Sequence, residues 1–329
     1  MMLRDIKSAL HVIVLMPLRD DWASAGELIR RLDRTIPSSS CHLEILLVDD
    51  GSTEPCRSAD FQYGFVSVKA IRNLRLRRNI GHQRAIAVGL AHVENTARCD
   101  AVLIMDADGE DTPDGALQLI RRFVEDEAAR AIFAERSRRT ESAIFRFLYC
   151  VYKILHRALT GLSVRVGNFS ILPAKYLSTL VVAPEMWNHY AAAVFRTSLP
   201  FTMIPIPRGY RIAGTSRMNF VSLVAHGLSA IAVFGDVVGV RILIASVMGS
   251  ILVALAIAAV VAIRLLTDRA IPGWATYAAG MLGILFMQLL SLAVGFTFFI
   301  LSSRMNLGFL PMRDYSFFVA ETVDIYPCE

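Results

Sequence analysis

The stretch AVLIMDADGED, residues 101–111, decides how this chain is read. Ala101 to Met105 is a continuous apolar run of strand length, and it leads directly into Asp106, Asp108, Glu110 and Asp111. A short apolar run bounded by charge is the pattern of a strand buried on both faces of a parallel sheet. Asp106 and Asp108 are one residue apart, so an extended backbone turns both carboxylates to one side, and Glu110 continues that side. Two or three hard oxygens from one short segment, with positions left open, suit a divalent cation that also grips phosphates.

Outward from this stretch the same pattern repeats. Val12 to Met16, Leu43 to Val48, Val66 to Ile71 and Ala131 to Phe133 also read as buried strands. Between them Ala23 to Thr35, His82 to Asn95 and Asp114 to Glu127 carry apolar residues at helical spacing. Strand and helix in alternation predict an α/β fold, a mainly parallel sheet with helices on its faces and ligands beyond the carboxyl ends of the strands. The first strand runs into Pro17-Leu18-Arg19-Asp20-Asp21 and the second into Asp49-Asp50-Gly51-Ser52, so three acidic clusters converge on one rim. Any one of them alone reads equally well as a turn or an N-cap. The chain contains no Walker A pattern and no G-x-G-x-x-G, which disfavours P-loop hydrolysis and dinucleotide redox chemistry. A metal holding a diphosphate then points to a nucleotide-sugar donor.

The remainder of the chain has a different composition. Over 329 residues 54% are apolar and 19% charged, with a mean hydropathy of +0.48. That is too apolar for an ordinary soluble protein and excludes disorder, a collagen-like chain and a disulfide scaffold. The excess lies late: Ile242 to Ile263 and Ala270 to Ser303 are free of charge. As helices they reach roughly 33 and 51 Å, against a hydrocarbon core of about 30 Å. From Arg241 onward five Arg balance five acids, so the net charge of +5 belongs to residues 1 to 240. The N-terminus lacks a long apolar segment with a cleavage site and does not read as a signal peptide. Cys41, Cys56, Cys99, Cys150 and Cys328 are widely spaced and fit reduced thiols facing a cytoplasm.

In these motifs the chain resembles the family 2 inverting glycosyltransferases of GT-A fold, and more narrowly the polyprenyl-phosphate glycosyltransferases. The resemblance rests on P-x-x-D-D at Pro17, V-D-D-G-S at Val48, N-I-G-H-Q-R-A at Asn79, M-D-A-D-G-E-D at Met105, E-R-S-R-R at Glu135, R-x-x-G-x-S at Arg211, and two spans. It implies transfer of one sugar, with inversion, from a UDP- or GDP-sugar to a membrane-bound polyprenyl phosphate. It assigns the donor to Pro17, Asp20, Asp21, Asp49, Asp50 and Gly51, and Mg²⁺ or Mn²⁺ to Asp106, Asp108 and Glu110. Phosphate contacts fall to Arg136, Arg139, Arg211 and Arg217, with Asp106, Asp108, Arg136 and Arg211 as the catalytic set. A phosphate acceptor is already anionic, so no strong general base is needed, and positioning with charge stabilisation carries the reaction. Basic residues are dense from Arg136 to Arg157, where Arg146, Lys153 and Arg157 read as a solvated face or as neighbours of anionic lipid.

The chain departs from the family's pattern at several points. Asp20-Asp21 stands for Asn-Glu, Glu110 for Gln, Thr112-Pro113-Asp114 for P-P-E, and Phe169-Ser170-Ile171 for F-R-L. The organisation expected is a GT-A domain over 1–215, an amphipathic juxtamembrane helix over 216–240, two spans over 241–303 and a cytoplasmic tail over 304–329. In the juxtamembrane segment Phe220, Val224, Leu228, Ile231 and Phe234 share one face, and the opposite face holds Asn219, Ser222, His226, Ser229 and Asp236. The expected location is the inner membrane, multi-pass, with the catalytic domain in the cytoplasm where nucleotide sugars are made. A homo-oligomer is a possible partner state, and nucleic acid is not expected. Two alternatives stand beside this reading. A processive polysaccharide synthase would carry Q-x-x-R-W and more spans, and a catalytically silent GT-A scaffold or partner subunit sits poorly with intact Asp106 and Asp108.

Overall fold

The computed structural model describes residues 9–61, 63–136, 154, 157–161, 166–213, 227–267, 273–305 and 308–327. They fall into two units, one of residues 1–146, 164–233 and 308–329, the other of residues 147–163 and 234–307.

In the first unit the strand LHVIVLMPL (β1, Leu10–Leu18) is apolar at both parities, and both of its faces are covered. Val12, Val14 and Met16 join one core with Ala25, Leu28, Ile29 and Leu32 of α1 (Trp22–Thr35). Leu119 and Phe123 of α3 (Pro113–Glu125) complete that layer. Ile13 and Leu15 join the other core, with Ile86, Ala87 and Leu90 of α2 (His82–Thr96) and Tyr190, Ala191 and Val194 of α4 (Tyr190–Arg196). The i, i+3, i+4, i+7 spacing of Ala25, Leu28, Ile29 and Leu32 gives α1 a single apolar stripe, and burying it orients the helix on the sheet.

The remaining strands are β2 (Cys41–Asp49), β3 (Val68–Leu76), β4 (Ala101–Ile104), β5 (Ala131–Arg136), β6 (Val166–Pro173), β7 (Phe201–Ile206) and β8 (Val319–Tyr326). They form one eight-stranded sheet in the order β7-β5-β6-β4-β1-β2-β3-β8. The pairs β1/β2, β1/β4, β2/β3 and β5/β7 are parallel, and β6 and β8 enter antiparallel. The carboxyl ends of β1, β2 and β4 therefore lie side by side, as the acidic rim requires. Burial pushes the thiols of Cys41 and Cys99 up to about 12 and that of Cys56 to about 11, so these free cysteines are poor nucleophiles.

One boundary differs from the sequence reading. Residues 308–327 are not a separate tail: β8 pairs antiparallel with β3 from Ile71 opposite Tyr326 to Leu76 opposite Val319. The alternation of VAETVDIY is too polar to stand out as a strand, because an edge strand exposes much of its length.

The second unit is built on two long helices, α5 (Gly235–Leu266) and α6 (Trp274–Met305). Both are long and apolar enough to cross a membrane, and most of their surface is exposed. Gly239 lies against Ile300 and Gly249 against Leu289, so the helices run antiparallel with small residues at the contact. The helix begins at Gly235, before the charge-free run at Ile242, because Asp236 and Arg241 limit lipid burial without breaking a helix. Arg241 turns back to donate from Nη1 to the Ala158 carbonyl at 2.7 Å. Of the expected juxtamembrane helix, residues 216–226 lie outside the described residues, and 227–232 are helical.

Candidate active site

Each acidic loop is first of all folded by its own carboxylates. The Asp20 residue sits at φ +56°, and its Oδ1 accepts from Thr53 N (2.7 Å), Thr53 Oγ1 (3.1 Å) and Glu54 N (3.0 Å). Asp49 Oδ1 accepts from Ser52 N at 2.7 Å. Asp50 receives Ile80 N on Oδ1 (2.7 Å) and Gly81 N on Oδ2 (2.9 Å), which ties the V-D-D-G-S loop to the N-I-G-H-Q-R-A loop. Burial holds its carboxyl above the usual range, against the lowering by those two amides. Gly51 adopts φ +69°, and a Cβ there would lie 2.6 Å from Asn79 N, so the close approach of the two loops requires glycine. Pro17 is buried within β1. Asp21 precedes α1, where its carbonyl accepts from Ala25 N, and its side chain makes no cap bond. These acids shape the rim at the ends of β1 and β2.

At the end of β4 the chain turns instead of staying extended. Asp106 N donates to Asp111 Oδ2 (2.9 Å) and Glu110 N to Asp108 Oδ1 (2.9 Å). Each expected metal ligand then meets a different cation. Asp106 Oδ1 lies 3.2 Å from His82 Nε2. Arg211 places Nε (3.1 Å) and Nη2 (2.8 Å) on Asp108 Oδ2. Arg208 closes on the Glu110 carboxylate. Among the described residues no three His, Cys, Asp or Glu side chains come together to hold a metal. Asp106, Asp108 and Glu110 instead face cations brought by α2 and by the segment after β7. Asp106 and Asp108 keep the chemistry of a hard-cation pair on one short segment, whereas Glu110 is taken by Arg208.

His82 lies within the N-I-G-H-Q-R-A motif, and nothing in that motif by itself marks it as a site residue. Tyr190 N donates to Gln83 Oε1 (2.8 Å), which turns the Gln83 amide NH₂ onto Asn168 Oδ1 (3.0 Å). The Asn168 NH₂ then faces His82 Nε2 at 3.0 Å. A neutral His82 accepts there from Asn168, and a charged one turns its proton to Asp106. Desolvation by the groups packed around it would lower the His82 pKa, although 42% of its side chain stays exposed. Asp106, by charge and hydrogen bond, with Asp111 and Asp50 behind it, outweighs that lowering and holds it above the ordinary value. The stability this pair contributes is then full below about pH 6.5 and lost as pH rises through the higher folded value. In metal-free buffer the Tm advantage of the wild type over His82→Gln is expected to shrink with rising pH across that window. A constant difference would exclude the charged pair.

Ser170, the departure from F-R-L, is fully buried, and its Oγ lies 2.8 Å from Tyr190 Oη. Position 170 faces the core, and Tyr190 fills the space beside it. Arg136 ends β5 opposite Ile206, its side chain lying outside the described residues, as do Arg139 and Arg217. Of the four expected phosphate-binding arginines, Arg211 has a described side chain, and it lies at the acidic rim.

A mixed, mostly parallel sheet with acids at the ends of β1, β2 and β4 is the GT-A arrangement. The chain belongs to glycosyl transferase family 2, whose pattern matches residues 13–179, just over half of its length. It is similar to the undecaprenyl-phosphate 4-deoxy-4-formamido-L-arabinose transferases of Salmonella choleraesuis (strain SC-B67) and Salmonella paratyphi B. Each is 25% identical over 217 residues, spanning 65% of this chain and 64% of the relative, less than two thirds of its length. Among solved structures it is similar to glucosyl-3-phosphoglycerate synthase from Mycobacterium tuberculosis, a complex with Mn²⁺, UDP-glucose and phosphoglyceric acid. That match has a TM-score of 0.50 at 16% identity, covering 71% of this chain and 81% of the other, and it shows a shared fold.

Proposed function

We propose that the protein transfers one sugar, with inversion, from a nucleotide-diphosphate sugar to a polyprenyl phosphate at a membrane surface. The observation that carries this is the pairing, in one chain, of the acid and arginine cluster at the end of β4 with a hairpin of two apolar helices. The names of the Salmonella relatives support the acceptor class. Asp106 and Asp108 would hold Mg²⁺ or Mn²⁺ on the donor diphosphate, where the ion offsets charge on the departing group. Asp20, Asp21, Asp49, Asp50 and Gly51 would frame the nucleoside, and Arg211 would bind phosphate by a bidentate, charge-assisted contact.

Residues before and after the helical hairpin share one sheet, which supports an even number of crossings. We place that unit in the cytoplasm, where nucleotide sugars are made, beside the inner membrane. Purified protein given polyprenyl phosphate, Mn²⁺ or Mg²⁺ and a panel of labelled UDP- and GDP-sugars should yield a label that partitions into chloroform. No lipid-soluble label from any donor would count against the reading.

A further inference from the structure

The family resemblance assigns Glu110 to a metal, whereas the fold pairs it with Arg208. Residues 208–212 lie along residues 108–112 as a strap. Ile212 N donates to Asp108 O at 2.9 Å and Gly209 N to Glu110 O at 2.8 Å. The two backbones meet at glycines. A Cβ on Gly209 would lie 2.8 Å from Gly109 O and 2.6 Å from Thr112 Cγ2, and Gly109, at φ +90°, has Ile212 Cγ1 2.5 Å from where its own Cβ would be.

Each end of the strap carries a guanidinium on a carboxylate, and the two pairs differ in kind. Arg211 bonds the Oδ2 of Asp108, an acid placed to meet the donor. Arg208 bonds Glu110, and both of these side chains are only about one-fifth exposed, at 19% and 20%. Removing one member of such a pair leaves a poorly solvated charge behind. Tyr210, between the two arginines, is 95% exposed and contributes nothing to the anchoring.

We propose that Arg208 and Glu110 are a positioning pair: they anchor the 208–212 strap on the β4 loop and so set where Arg211 meets an anionic ligand, and Glu110 is not a metal ligand. An incoming diphosphate can then exchange with Asp108 for Arg211 while the strap stays docked through Arg208, Gly209 and Ile212. This rests on the reading that the site binds a nucleoside diphosphate, but the anchoring itself can be tested without it.

The test uses the full-length protein in detergent, as wild type, Glu110→Gln, Arg208→Gln, Arg208→Lys and the charge exchange Glu110→Arg with Arg208→Glu. Chymotrypsin cleavage after Tyr210 reports strap release, and titration calorimetry reports binding of UDP, of GDP and of Mn²⁺ alone. Glu110→Gln and Arg208→Gln should each speed cleavage about tenfold and weaken diphosphate binding about tenfold, in line with a desolvated ion pair. Arg208→Lys and the exchanged pair should recover most of both, and Mn²⁺ binding by Glu110→Gln should match the wild type. Unchanged cleavage in Glu110→Gln, or no recovery in the exchanged pair, would overturn the proposal. So would a loss of Mn²⁺ binding in Glu110→Gln with cleavage unchanged. A wild type that binds neither UDP nor GDP would sink the reading of the site's ligand, while the cleavage series would still decide the anchoring.

Discussion

Replacing Asp108 by Asn is expected to lower kcat by about 10²–10³-fold, the range seen when one charge-stabilising group of a preorganised site is lost. The substitution keeps shape and leaves an oxygen to accept from Glu110 N, which now bonds Asp108 Oδ1 at 2.9 Å. It removes the negative charge that Arg211 meets through Nε and Nη2. The fold does not depend on that charge, since the cores on either side of the sheet are apolar. Far-UV circular dichroism and Tm should stay close to wild type while activity falls. A variant that retains full turnover would remove Asp108 from the site, and full turnover of wild type in excess EDTA would remove the metal.

Ending the chain before residue 308 is expected to have the largest effect on stability. The lost segment supplies β8, whose Arg75–Glu321 (2.9 Å) and Arg72–Asp324 (3.3 Å) pairs are exposed and contribute little. More is lost in apolar contact. Trp187 packs on Phe309 and Phe318, with ring centroids at 3.7 and 5.1 Å, and Phe65 packs on Tyr326 at 5.0 Å. Met312 N bonds Val181 O, and Arg77 N bonds Phe318 O. With several side chains re-exposed at about 1.5–3 kcal/mol for each one fully buried, partial burial here suggests a cost of about 3–5 kcal/mol. For a unit of this size that is a fall in Tm of about 10 °C. It also uncovers the β3 edge, so aggregation should accompany it. An unchanged Tm would mean that β8 only decorates the sheet.

The parts of the fold that were legible are those where one force dominates. β1 from Val12, β2 from Ile45 and all of β4 are continuous apolar runs that lead into acids, and they are buried on both faces. β6 was not legible, because VGNFSILP interrupts its apolar pattern with Asn168 and Ser170. Both are buried, and both are satisfied by side chains far away in sequence, Gln83 and Tyr190. β8 was missed because an edge strand need bury only part of one face. In the site, the acids were legible from their place at strand ends. Arg211 was legible from its motif, but the pairings were not: His82, Arg208 and Arg211 reach Asp106, Glu110 and Asp108 through topology, with α2 and the segment after β7 brought to the same rim. The signal for His82 was its place at the first turn of the helix entering β4, which becomes informative only once the strand order is known.

The most direct test of the central claim is the stoichiometry and structure of the product formed from a matched nucleotide sugar and polyprenyl phosphate. One nucleoside diphosphate should be released per glycosyl group transferred, and mass spectrometry and NMR should show a single sugar on the lipid phosphate with its anomeric configuration inverted. Release of nucleoside monophosphate with a phosphosugar on the lipid, or nucleoside diphosphate release with free sugar and an unmodified lipid, would contradict it.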